Sequence, residues 1–145
     1  MNAVDAQGRR RAREAALQML YQCEVGRAAA VESIASYWPT REAGDEVPQP
    51  LREFANGIVH GTLDRRDEID AMLTAHAQNW RVERMAVIDR TVLRMAVYEM
   101  LAEADTPSKV IINEAIELAR SFSGDEAVPF VNGVLDAVRK ELRRS

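Results

Sequence analysis

Cysteine is nearly absent: Cys23 stands alone in 145 residues, which excludes an internal disulfide and suits a reducing cytosol. Histidine is almost as scarce, with only His60 and His76. So few ligands and nucleophiles build neither a Cys–His pair nor a zinc set, so no metal and no cofactor is expected. No apolar run approaches the roughly 20 residues of a membrane span. "MNAVDAQGRRRAREAA" has basic residues but no apolar stretch behind them, so it does not read as a secretory signal; a cytoplasmic protein without membrane association is expected. The glycines form no phosphate cradle: "NGVLD" and "NGIVHG" lack the spacing that frees several N–H groups for one anion, and Gly57 and Gly61 read as close helix contacts. Carboxylate pairs such as Glu114/Glu117 and Glu99/Glu103 fit solvated helix faces, because nothing nearby would raise a pKa. The expectation is a protein that is not an enzyme.

Strand pairs, hairpin turns, low-complexity segments and strict repeats are also missing, and helical spacing fills the chain. Residues 9–26 carry Ala12, Ala15, Ala16, Met19, Leu20 and Cys23 at three- and four-residue intervals, with Gly26 as a stop. A shorter helix over 28–38 ends before Pro39. The stretch 39–50, with three of the five prolines, is the one clear loop. Leu51, Phe54, Ala55, Ile58 and Leu63 mark a third helix. Asp64 reads as the N-cap of a fourth, which runs through Ile69, Met72 and Leu73 to Trp80. "RMAVIDRTVLRMAVYEMLAE" (84–103) is apolar on nearly every side, as a buried central helix is. A sixth helix starts with Asp105 or Thr106 as cap and Pro107 in its first turn, and a seventh covers 129–142. The expected fold is all-α: about seven helices in two bundles of one domain spanning 1–145, divided into about 9–80 and about 81–145.

Net charge is −4, but it is unevenly spread. Arg9, Arg10, Arg11 and Arg13 crowd one end, and Arg139, Lys140, Arg143 and Arg144 the other, so the body between them is strongly acidic. Four cations at a helix N-terminus oppose the macrodipole, which favours acids there. Two readings stay open: a solvated helix end, or a phosphate grip. Gln18 and Tyr21 follow on a similar face. Arginines with an aromatic and an amide suit single-stranded RNA, in which phosphates are neutralised, a base is stacked and a base edge is hydrogen-bonded. Taken singly, Tyr21 reads better as the edge of the core.

"RRRAREAALQMLYQ" (9–22), "VLRMAVYEM" (92–100), "KVIINEAIELARSF" (109–122) and "FVNGVLD" (130–136), in this order over nearly the whole chain, resemble the NusB family of bacterial transcription antitermination factors. The resemblance implies an all-helical adaptor that binds boxA RNA of ribosomal-operon leaders together with NusE, a small-subunit ribosomal protein. The assembly joins RNA polymerase so that transcription passes terminators. It implies RNA contacts by Arg9, Arg10, Arg11, Arg13 and Tyr21, and in the C-terminal half by Ser121, the turn Ser123–Glu126 and Phe130. Lys109, a mobile point charge, is expected to neutralise a phosphate beside these. Pro129 departs from the basic or polar residue often found before the phenylalanine; one RNA contact is in doubt there, and a sharper start to the last helix is expected. The resemblance places NusE near Arg84, Asp89, Arg90 and Glu99, where intrahelical pairing is an equal reading for all but Asp89. Asn113 and Asn132 read either as RNA contacts or as caps or bridges of helix packing. A related alternative is a stand-alone RNA-binding module like the domain at the front of some RNA cytosine methyltransferases, although no cofactor domain follows Ser145 here. A homodimer that covers the arginine face is another possible state.

Overall fold

The computed structural model describes residues 6–40, 47–77 and 81–145, and all regular structure among them is helical. Seven α-helices appear: α1 (Ala6–Gly26), α2 (Ala30–Tyr37), α3 (Gln49–Asp64), α4 (Arg66–His76), α5 (Val87–Ala102), α6 (Ser108–Phe122) and α7 (Val128–Glu141). Single 3-10 turns lie at Trp38–Thr40, Val82–Arg84 and Asp125–Ala127. The chain forms two compact units, Met1–Leu63 and Asp64–Ser145. The division therefore falls before α4, not near residue 80 as the spacing suggests. Trp80 lies outside the described residues.

In the first unit, Ala12, Ala15 and Ala16 of α1 are buried with Leu17, Met19 and Leu20, so the small-residue stripe is core. Polar pairs tie α2 and its flanks to the neighbouring helices. The Cys23 thiol donates to Ser33 Oγ at 3.2 Å, and the Tyr37 hydroxyl donates to Gln18 Oε1 at 2.8 Å. Trp38 Nε1 donates to Asn56 Oδ1 of α3 at 2.9 Å, while Arg52 lies over the Trp38 ring at 5.3 Å. Helix α1 ends at Gly26 as expected, yet the left-handed residue is Arg27, with φ 56°. Of the loop expected over 39–50, residues 41–46 lie outside the described residues; at its end Gln49 and Pro50 already lie in α3, where the missing N–H of Pro50 leaves no intrahelical bond broken. Gly57 is not a close contact: a Cβ there would meet nothing within 4 Å.

In the second unit α5 packs against α4, α6 and α7, and buries Val92, Leu93, Met95, Ala96, Val97 and Met100. Its all-round apolar sequence is that of a central helix. Arg94 reaches Asp70 of α4 through two parallel bonds of 2.8 and 2.9 Å, and His76 of α4 pairs with Glu141 of α7. The expected side-chain caps do not form. Asp64 is the last residue of α3, with Arg65 preceding α4, and Pro107 rather than Asp105 or Thr106 precedes α6. Asn113 and Asn132 are exposed and bridge no packing. Val128 and Pro129 open α7 directly after the turn, giving the sharp start that a proline in the first turn favours.

Candidate RNA and partner interface

Viewed down α1, successive residues step 100°, which places Arg10, Arg11, Gln18 and Tyr21 within one arc of about 100°. All four are exposed, Tyr21 at 42%. They span roughly 16 Å of helix, a length over which a few nucleotides can lie. Gln18 is anchored by the Tyr37 hydroxyl, so its amide is held in one orientation. Arg9 and Arg13 face elsewhere. Arg13 is only 3% exposed, and both guanidinium groups lie over the Phe54 ring of α3, at 4.7 Å for Arg9 and 5.4 Å for Arg13. The expectation that all four arginines form one RNA surface is corrected for Arg13, whose charge is packed inside the unit. Phe54 had signalled only core, since its helical stripe is no different from that of Ile58 or Leu63.

The second unit carries a hollow of about 460 Å³ lined by Met85, Ala86, Asp89, Ser123, Glu126, Ala127 and Phe130. Residues expected to touch RNA (Glu126, Phe130 and the turn at Ser123) thus share a wall with Asp89, expected to touch a protein. Local structure explains the shape. Gly124, at φ 139°, turns the chain sharply between α6 and the 3-10 turn, and brings the Glu126 carboxylate over its own Cα; a Cβ there would sit 2.7 Å from Glu126 Oε1. Asp89 lies in the first turn of α5, where the dipole favours a carboxylate, and its Oδ1 is buried without a hydrogen-bond partner. Arg90 braces the preceding segment by donating to the carbonyls of Met85 at 3.2 Å and Glu83 at 3.4 Å. A half-buried aromatic ring, two carboxylates and an apolar floor can take a flat or cationic group.

Other expected site residues fall elsewhere. Arg84 is exposed in the 3-10 turn before α5. Glu99 is only 3% exposed, so it cannot serve the partner surface expected of it. Ser121 is exposed near the end of α6 but does not line the hollow. Lys109 opens α6, roughly 18 Å along the helix from Ser121, so it does not stand beside the Phe130 group. Met85 and Ala86 were missed, since no local signal marks two apolar residues at a helix start as a floor. No cluster of three or more His, Cys, Asp or Glu suited to a metal occurs among the described residues, and no helix among them is long and apolar enough to cross a membrane.

The NusB family model matches residues 10–140. Among relatives, the transcription antitermination protein NusB of Solibacter usitatus is 47% identical over 92% of this chain and 90% of its own. Among solved structures, T. maritima NusB superposes with a TM-score of 0.81 at 33% identity, covering 92% of this chain and 91% of that one. A structure of antitermination factors NusB and NusE in complex with dsRNA shares the fold, with a TM-score of 0.82 at 22% identity over 93% of this chain and 98% of that one.

Proposed function

As the chain belongs to the NusB family, we propose that it is a non-enzymatic RNA-binding factor of transcription antitermination, which binds boxA-type leader RNA together with NusE in the cytoplasm. The observation that carries this reading is the exposed arc of α1, where Arg10 and Arg11 precede Gln18 and Tyr21. The guanidinium groups neutralise phosphates and supply salt-dependent affinity, while the tyrosine ring stacks a base and the fixed amide reads an edge. The hollow at Phe130 is a second contact. Because Asp89 lines it together with Glu126 and Phe130, RNA and a basic ribosomal protein would meet at one place, and each would favour the other's binding. Through NusE and RNA the factor would join the RNA polymerase complex. The coverage of whole antitermination proteins favours this role over a methyltransferase-type module.

The test is an anisotropy titration of boxA-type single-stranded RNA, with NusE present, over a salt series. Arg10→Ala combined with Arg11→Ala should weaken binding roughly 10- to 100-fold, and should flatten the logarithmic salt dependence by about 1.4 for two lost phosphate contacts. Unchanged affinity and slope would sink the reading of α1 as the RNA face.

A further inference from the structure

Arg9 and Arg13 are like charges one turn apart near the start of α1. Both guanidinium groups share one aromatic ring, that of Phe54 on α3. Arg9 Nε is shut off from water with no hydrogen-bond acceptor. A buried N–H left this way is costly, and the negative face of a ring is the compensation this site offers. The buried face of α1, with Ala12, Ala15, Ala16, Leu17 and Met19, sets its rotation, so the 100° step of the helix turns Arg10 and Arg11 outward. The ring adds a tether for Arg9 and Arg13 at the start of the helix.

We propose that Phe54 is the positioning residue of the RNA grip: its ring pins Arg9 and Arg13, holds the first turns of α1 helical, and so presents Arg10 and Arg11 before RNA arrives. Phe54 contributes no charge and needs no contact with RNA. Its effect is preorganisation, sparing the ordering cost that a frayed arginine segment would bear on binding. Loss of the ring should therefore weaken affinity at every salt concentration while leaving the salt slope alone, unlike loss of a phosphate-binding arginine. The proposal rests on the reading of α1 as the RNA face.

The test uses the full chain, boxA-type single-stranded RNA and NusE, and compares wild type, Phe54→Leu, Phe54→Tyr and the Arg10→Ala/Arg11→Ala variant over a salt series. Phe54→Leu should bind about 3- to 10-fold more weakly with an unchanged slope, and Phe54→Tyr, which keeps the ring, should restore affinity to within about twofold. In free wild-type protein the Arg9 Nε–H resonance should be moved upfield by the ring, an effect kept in Phe54→Tyr and lost in Phe54→Leu. Wild-type affinity in Phe54→Leu beside a weakened arginine variant would overturn the positioning role alone. So would equal weakening by Leu and Tyr, or an undisplaced Arg9 resonance in wild type, which needs no variant to fold. If the arginine variant also binds like wild type, the RNA face itself is misassigned and the positioning role falls with it.

Discussion

Both ends of the chain are rich in arginine, and the fold uses them in opposite ways. At the C-terminus Arg139, Lys140 and Arg144 are consumed internally. Arg139 and Lys140 pair with Asp136 on their own helix, while Arg143 takes a left-handed conformation at φ 57° and folds the chain end back. Arg144 then donates to Met100 O at 2.7 Å and Ser108 Oγ at 2.8 Å, and also to the carbonyl of Thr106. It satisfies carbonyls that the end of α5 and the loop after it leave open, and a cation at the negative pole of a helix is favourable. At the N-terminus Arg9 and Arg13 are drawn onto a ring, whereas Arg10 and Arg11 stay exposed. The C-terminal cations are thus part of the scaffold, and the N-terminal set is split between a packed pair and an exposed pair.

Variants of the two ends should then separate affinity from stability. The Arg10→Ala/Arg11→Ala variant, with its roughly 10- to 100-fold loss of RNA affinity, should shift the melting temperature by no more than about 2 °C, because both side chains are exposed and surface contacts contribute little. Arg144→Ala should behave in reverse. Stranding the carbonyls of Met100 and Thr106 costs about 2 kcal/mol, which for a domain of this size lowers the melting temperature by roughly 5 °C, while RNA affinity in the folded state stays within about twofold. A scanning calorimetry trace that showed the two variants equally destabilised would break the distinction.

How legible this was in the sequence depends on how far the deciding contact lies. The central helix was legible because its own residues, Val92 to Met100, carry the signal on every side. The proline start of α7 was equally local. Asp64, by contrast, offers the right side chain for a cap, but α3 continues through it, and propensity cannot weigh one more turn of packed helix against a cap. Arg13 and Glu99 were misplaced for a related reason. A charged residue at helical spacing reads as solvated, and only a partner such as Phe54, 41 positions away from Arg13, shows it to be buried. The hollow at Phe130 was half legible: "FVNGVLD" pointed to it, whereas Asp89, on another helix, was assigned to a different partner.

The turn beside that hollow should be the next most sensitive place. Gly124 lies at φ 139° and ψ 166°, a region essentially restricted to glycine. Gly124→Ala should cost about 1–3 kcal/mol in urea unfolding and push the Glu126 carboxylate out of position. Stability equal to wild type would mean that the turn relaxes elsewhere and that the hollow is less fixed than its backbone implies.

The smallest effect separates the two ends by pH. Asp136 accepts from Arg139 at 2.8 and 3.0 Å and pairs with Lys140 at 3.2 Å; these bonds, that to Arg139 first, hold its carboxyl below the ordinary value of 3.8. A carboxylate with a lowered folded-state pKa contributes stability that is present above the unfolded pKa and lost as pH falls through the folded one. Between pH 5 and pH 3 wild type should therefore lose more stability in urea than Asp136→Asn does, by a small margin because the group is exposed and screened. The Arg10→Ala/Arg11→Ala variant keeps Asp136 and its partners, so this acid loss should persist in it. Acid thus loosens the internally paired end of the chain. If Asp136→Asn instead paralleled wild type through the window, the ion pairs of α7 would be geometry without energy, and the C-terminal scaffold would rest on Arg144 alone.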